Sequence, residues 1–240
     1  MTTISRESKE VKDFARLFHF GVLGIEKTAC DVRETLEKVL ASGFQFKAWN
    51  TEMNLAQYSK DILQGRMRLH VPISYPMGNM TLKKKLKDLE YCVQVLQTDE
   101  DCVCLNYGAI LNHQYQEVEE EVREIEGRFG TSTDLAYVIQ ATLLTDNEII
   151  DVCRAIQNGG SRRIKVNTGY QWGTSPEEVA LIRRVFGYSF DIHPSGNIKT
   201  LKQVQQFLEL GVQNIHSLAC FEIIDEYIAL RNQGAPVYVS

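Results

Sequence analysis

The sequence predicts a (β/α)₈ barrel, on three observations. The chain has 240 residues, close to the roughly 250 typical of that architecture. Short β-prone runs alternate with longer amphipathic ones, and there are eight of the former. Strands separated by helices pair in parallel through right-handed crossovers, and eight such units close most simply into a ring. A doubly wound open sheet is the alternative architecture. No GxGxxG or Walker-type glycine turn follows any strand, which counts against its nucleotide-binding version. No Pro/Gly/Ser-rich linker or internal repeat divides the chain. Residues 1–240 are therefore expected to form one barrel domain, with 1–15 a polar N-terminal extension or helix.

Taken in order, the first strand is expected near residues 16–20. Thr28, with Asp31 three residues on, then makes a capping box for a helix carrying Val32, Leu36, Val39 and Leu40 on one face and stopping at Gly43. Strands follow at 44–49 and 68–73. The latter contains Pro72, which lacks a ladder donor and so is expected at a strand end or bulge. Leu82, Leu86, Leu89, Val93 and Leu96 mark the next helix, and 102–105 the next strand. Tyr115, Val118, Val122, Ile125 and Phe129 line another helix whose acidic run, Glu119 to Glu121, is a solvated face. After the strand at 135–139, Thr145 and Glu148 cap a helix that Gly159-Gly160 ends. Strand 163–167 precedes Ser175-Pro176-Glu177-Glu178, where a cap, a first-turn proline and a glutamate open a helix closed by Gly187. Strand 190–193, a helix from Thr200 and Gln203 to Gly211, strand 214–216 and a helix from Phe221 to Leu230 complete the alternation.

Composition narrows the function. A hydrophobic share of 44% with 24% charged residues fits a globular chain with a sizeable core. Lys and Arg number 26 against 31 Asp and Glu, a net charge of −5, which argues against nucleic acid or an anionic membrane as partner. The six cysteines show no CxxC pairing, so neither a structural zinc nor a disulfide framework is expected. The start, MTTISRESKEVKDF, is polar, and no window approaches the roughly 20 apolar residues of a membrane span. A cytoplasmic protein acting on a small molecule is the expectation; a homo-oligomer stays open.

In such barrels reactive groups project from the C-terminal ends of the strands. That rule selects Tyr75 to Gly78, Cys102, Cys104 and Asn106, Gln140, Lys165 to Gly173, His193 to Asn197, and His216-Ser217. Side chains alternate along a strand, so Cys102 and Cys104 share a face, as do Lys165 and Asn167, and as do Asp191, His193 and Ser195. Lys165, in IKVNTG, lies on a short strand covered on both faces, where an unpaired ammonium is costly; it either reaches the polar mouth or holds a functional place. From spacing alone, an exposed or salt-bridged lysine at a strand edge is the preferred reading.

Several runs, in order, resemble deoxyribose-phosphate aldolases. IKVNTGY, DIHPSGNIKT and NIHSLAC are similar to that family's IKTSTGF, VKASGGIRT and serine-rich turn. VPISYPMGNMT, LNYGAIL and VIQATLLTDNEI resemble its VIGFPLG, INIGAL and ILETGLLTDEEI, and GFQFKAWNTEM loosely follows GFASVCVNPSY. The resemblance spans roughly Thr28 to Ile224. It implies a class I, Schiff-base lyase, needing neither metal nor cofactor, that joins or splits a small aldehyde and a sugar phosphate. In this chain the Schiff-base lysine falls on Lys165. An ordinary lysine is neutral in only about one molecule in a few thousand at pH 7, so such an amine must be desolvated or placed beside positive charge. The family's second lysine falls on His193, and its catalytic aspartate on Cys102, with Asp101 adjacent. An imidazole can shuttle protons but supplies no fixed charge, and a thiol replaces a carboxylate only when activated. Gln140 stands for a glutamate, Ala136 for a further lysine, and HFGVLG for the family's DHTLLK. The phosphate-binding turns imply Gly169, Tyr170, Ser195, Gly196, Asn197 and Ser217 as ligand-binding residues, with Tyr170 and Trp172 narrowing the mouth. A different substrate is thus in view. So is the alternative that the barrel has lost its chemistry and binds a sugar phosphate or a protein partner, and an isomerase or another aldolase stays open because fold does not fix function.

Overall fold

The computed structural model describes residues 3–235; the expected domain of 1–240 therefore extends outside the described residues at both ends. Eight strands form one parallel sheet: β1 Phe18–Val22, β2 Ala48–Thr51, β3 Arg68–Ile73, β4 Glu100–Cys104, β5 Asp134–Val138, β6 Arg163–Lys165, β7 Asp191–His193 and β8 Ile215–His216. Their order is β7-β6-β5-β4-β3-β2-β1-β8. A parallel bridge between Ser195 and His216 joins the two ends, with His216 N–H donating to Pro194 O at 3.0 Å. The sheet thereby closes into a (β/α)₈ barrel.

Among the described residues ten α-helices surround the sheet: α1 Lys9–Ala15, α2 Ala29–Ser42, α3 Met53–Leu63, α4 Leu82–Tyr91, α5 Tyr107–Leu111, α6 Tyr115–Phe129, α7 Asp146–Asn158, α8 Pro176–Phe186, α9 Leu201–Glu209 and α10 Cys220–Asn232. Capping boxes are formed at Thr28, Thr145, Ser175 and Thr200, each side chain accepting from the backbone three residues on. Each such cap satisfies orphan amides worth about 1 kcal/mol. Helix α1 makes the N-terminal segment partly helical. It buries Val11, Phe14 and Ala15 and stacks Phe14 on Tyr227 of α10 at 4.4 Å between ring centroids.

Pro72 departs from its expected place. It lies inside β3, in register with Cys102, with Ile73 still to follow. Leu69 O accepts from Asp99 N–H, which directs the odd-numbered peptides of β3 towards β4 and the even-numbered ones, Pro72 included, towards β2. The β2–β3 pairing ends at Asn50 and His70, so the missing donor falls where there is no ladder left to serve. The second strand also begins later than expected, at Ala48, because Phe44 and Phe46 pack against Phe221 of α10.

Alternation along the strands sorts the side chains. Phe18, Phe20, Trp49, Leu69, Val71, Val103, Tyr137, Ile164, Ile192 and Ile215 join the main core between sheet and helices. The opposite face of β4 and β5 makes a smaller apolar cluster, Cys102, Cys104, Ala136 and Val138, inside the ring. The rest of that interior is polar: His19, His70, Glu100, Lys165, His193 and His216 are all buried. Branched apolar layers usually fill such a barrel. Four of the five histidines in the chain have been placed here instead.

Candidate active site

A cavity of about 910 Å³ opens at the C-terminal ends of the strands. Among the sequence-selected residues its lining includes Lys165, Gly169, Tyr170, Ser195, Gly196, Asn197 and Ser217. His193 and Cys102 do not line it; both are buried beneath, within the barrel.

Lys165 ends β6 and is 3% exposed. Its Nζ lies 3.7 Å from Cys102 Sγ, and among the described residues no carboxylate comes within salt-bridge distance of it. The other buried lysine, Lys85, is treated differently: its Nζ donates to Glu121 Oε1 at 2.5 Å and to Cys104 O at 2.7 Å, so Glu121, 7% exposed, lies inside and not on the solvated face expected of Glu119 to Glu121. Burying an ammonium costs several kcal/mol unless it is paired. Lys85 is thus a satisfied structural ion pair, whereas Lys165 is a buried amine facing a cavity with only a thiol beside it. Burial would raise the Cys102 thiol, but the Lys165 charge and then His70 overcome that and hold it below the usual thiol range.

His193 pairs in register with Lys165, yet its ring is engaged below. Nδ1 lies 3.1 Å from His216 Nε2, Nε2 lies 3.0 Å from Asp191 Oδ2, and Asn50 Nδ2 meets His216 Nδ1 at 3.1 Å. Burial pushes His19 and His216 well below the usual histidine range, the Lys165 charge adding to the effect. Burial also acts to lower His70, but Cys102 and Glu100 outweigh it and lift His70 to about 9. Asp101 faces away from the barrel: Thr98 Oγ1 and Thr133 Oγ1 donate to it at 2.7 and 2.9 Å. It cannot stand in for an inward aspartate, since alternation gives that face to Glu100, Cys102 and Cys104.

The two turns after β6 and β7 touch. Gly169 has φ 84° and Gly196 φ 86°, and a Cβ on Gly169 would lie 2.8 Å from Gly196 Cα. Among the described residues the N–H groups of Gly169, Gly196 and Asn197 have no hydrogen-bond acceptor, which leaves a nest of donors at the cavity wall. The side chains beneath brace it. Ser195 Oγ donates to Asn167 O, Thr174 Oγ1 donates to Ser195 O at 2.8 Å, and Gln140 Oε1 accepts from Thr168 N–H and Oγ1 at 3.0 and 2.9 Å. Ser217 Oγ donates to Ile198 O at 2.7 Å. Both serine hydroxyls are therefore committed to the loops. Tyr170 lines the cavity while 40% exposed, and Trp172, 46% exposed, stands outside the lining.

Sequence reading did not single out Glu52 and Lys199, which also line the cavity. Burial pushes the Glu52 carboxyl up. Lys199 falls inside the DIHPSGNIKT run and could have been found there; Glu52, in a loosely matching segment, carried no such signal.

The class the fold and site define is a (β/α)₈ barrel with a buried lysine, unpaired by any carboxylate among the described residues, at its C-terminal mouth. The comparisons are more specific. The chain is 25% identical over 225 residues to the deoxyribose-phosphate aldolase of Lysinibacillus sphaericus, covering 92% of this chain and 99% of that one. It is 28% identical over 166 residues to that of Streptococcus sanguinis, covering 68% and 74%. The tetrameric deoxyribose-phosphate aldolase of Aeropyrum pernix superposes with a TM-score of 0.81 at 18% identity over 92% of this chain and 93% of that one. QR15, an aldolase, gives 0.82 at 21% identity, with 90% and 97% covered. No family model matches. Over most of its length the chain is thus similar to curated deoxyribose-phosphate aldolases, at 22–28% identity, and it shares their barrel fold.

Proposed function

We propose that the chain, as one barrel domain, is a class I aldolase that makes or breaks a C–C bond between a small aldehyde and a sugar-phosphate aldehyde. The observation that carries this is Lys165, buried, unpaired by any carboxylate and opening onto the cavity. Its Nζ attacks the carbonyl carbon, water leaves, and the iminium so formed draws the electron pair of the bond β to nitrogen. The proton that must leave the ammonium first has an acceptor in Cys102 Sγ, 3.7 Å away. Glu52, on the cavity wall, is placed to exchange protons with the substrate hydroxyl, and His193 tunes the floor below. The N–H nest at Gly169, Gly196 and Asn197, with Lys199 beside it, suits a phosphate.

The substrate need not be deoxyribose 5-phosphate, since Tyr170 occupies space at the mouth. The alternative of a barrel that has lost its chemistry is not favoured, because curated relatives over nearly the whole chain are aldolases. A tetramer like that of the Aeropyrum protein is a further proposal. Incubation with acetaldehyde or deoxyribose 5-phosphate followed by borohydride is expected to leave a reduced adduct on Lys165, located by peptide mass spectrometry. Absence of any lysine adduct with either compound overturns the assignment.

A further inference from the structure

The hydrogen-bonded chain Asn50, His216, His193, Asp191 leaves a group of charged and polar atoms below Lys165 without partners. Both ring nitrogens of His19 and both of His70 are buried with nothing to bond. Glu100, 3% exposed, meets its nearest cationic atoms at 3.4 Å (His70 Nδ1), 3.7 Å (His19 Nδ1), 3.8 Å (Arg68 Nη1) and 3.9 Å (His193 Nδ1), all longer than a good hydrogen bond. Each unsatisfied buried group costs on the order of 1–3 kcal/mol. The two histidines without partners, His19 and His70, face the same carboxylate, so the centre of this group is where a further ligand would satisfy them.

We propose that His19, Glu100, His193 and His216 bind a divalent transition ion of the zinc class. Each offers one ligand atom, and the four atoms lie within 4.8 Å of one another. A tetrahedral zinc with arms of about 2.0–2.1 Å sets its ligand atoms about 3.3–3.4 Å apart. Three separations, 3.1 Å (His193 Nδ1 to His216 Nε2), 3.7 Å and 3.9 Å, lie on either side of that value; the other pairs lie within 4.8 Å, and the His19 ring, stacked on His216 at 4.0 Å and 17°, has to turn about its own axis to complete the shell.

The outer contacts agree. Asp191 accepts from His193 Nε2, which leaves Nδ1 as a lone-pair atom that now faces His216 Nε2 and would turn to the ion in the carboxylate–histidine–metal arrangement that orients a ligand ring. Asn50 Oδ1 has no partner, and a half-turn of that amide sets it against His216 Nδ1–H, freeing Nε2 for the ion. His70 is placed to hold Glu100. Imidazoles with one carboxylate are a borderline donor set that favours zinc over magnesium or calcium. His216 lines the cavity, which gives the ion a path in. The ligands come from β1, β4, β7 and β8, so no spacing along the chain announces them.

The consequence for Lys165 rests on the aldolase proposal: a dication in the core beneath it would place fixed positive charge where the resemblance puts the family's second lysine. Metal loading is then expected to speed borohydride trapping. Binding itself is read without turnover, so the two claims fail separately.

Chelator-treated full-length protein is to be dialysed against zinc and assayed for bound metal, then titrated with cobalt and followed by visible absorption. One zinc per chain, and the intense d–d bands of four-coordinate cobalt, are expected. His19→Gln is expected to abolish stoichiometric binding, and Asp191→Asn to weaken it roughly ten- to a hundred-fold, with circular dichroism confirming that each variant folds. If neither variant folds, the wild-type stoichiometry and spectrum still decide. No stoichiometric zinc, or a weak six-coordinate cobalt spectrum, overturns the site; so does a spectrum that folded His19→Gln leaves unchanged.

Discussion

Gly169 and Gly196 hold the β6 and β7 turns in van der Waals contact, each at positive φ with the other's Cα where a side chain would begin. Neither position admits Cβ: the backbone conformation disfavours it by about 1–2 kcal/mol, and the facing turn would have to move. Gly169→Ala or Gly196→Ala is therefore expected to lower stability by roughly 2–4 kcal/mol and to raise KM for a phosphorylated substrate more than it lowers kcat. Denaturant midpoints and steady-state kinetics measure the two effects. A KM unchanged in a folded variant removes the donor nest from substrate binding.

The two buried lysines make opposite predictions. Lys165→Met removes an unpaired ammonium and fills its space with a flexible apolar chain, so stability is expected to stay level or rise by about 1–2 kcal/mol, while adduct formation is abolished. Lys85→Met strands Glu121 in the core and is expected to cost about 3–5 kcal/mol with the Lys165 adduct still formed. Thermal unfolding and borohydride trapping, run on both variants, separate function from structure. Equal destabilisation by the two would mean that Lys165 is also held by a partner.

Sequence made the barrel legible because its signals are local. Thr28, Thr145, Ser175 and Thr200 each announce a helix within four residues, and each capping box is formed. Where the local signal is missing, the reading fails. Helix α3 was not anticipated, for its N-cap, Glu52, makes no side-chain cap bond. By contrast, the pair Gly159-Gly160 does end α7, with the positive φ on Gly160. Lys165 and the glycine turns could be found because an ordered set of motifs carries them. Glu100 and the interior histidines could not, since their meeting depends on strand tilt and register. Alternation alone would have put Glu100 on the face of Cys102, but nothing in the sequence says that His19 points at it from across the ring.

Two residues of the turns after β6 and β7 that are not glycine lie in the left-handed region: Gln171 at φ 70° and Asn197 at φ 55°. Asparagine tolerates this conformation better than glutamine does. Gln171→Gly is thus expected to stabilise the chain by about 1 kcal/mol, less the added entropy of the unfolded glycine, whereas Asn197→Gly should be near neutral. Both are checked by denaturant unfolding, and a destabilised Gln171→Gly would show that the glutamine side chain makes a compensating contact.

The seam between the chain ends predicts the acid response. Glu10 in α1 accepts from Arg231 Nε at 2.7 Å and from the Tyr227 hydroxyl, both in α10. The hydrogen bond from Arg231, then that from Tyr227, holds its carboxyl below the ordinary glutamate range. A folded value depressed below the unfolded one contributes stability that is present above the unfolded value near 4.3 and is lost as pH falls through the folded one. Because the pair is partly solvated and screened, its worth is below about 1 kcal/mol. Glu10→Gln is therefore expected to unfold slightly earlier than the wild type at pH 7, with the difference shrinking to nothing as pH falls below about 4. Added salt should narrow it too, since exposed pairs are screened. Thermal unfolding of both proteins across pH 3–7 checks this; a difference that persisted at the acid end would mean that Glu10 holds α1 to α10 by packing and neutral hydrogen bonds and not by its charge.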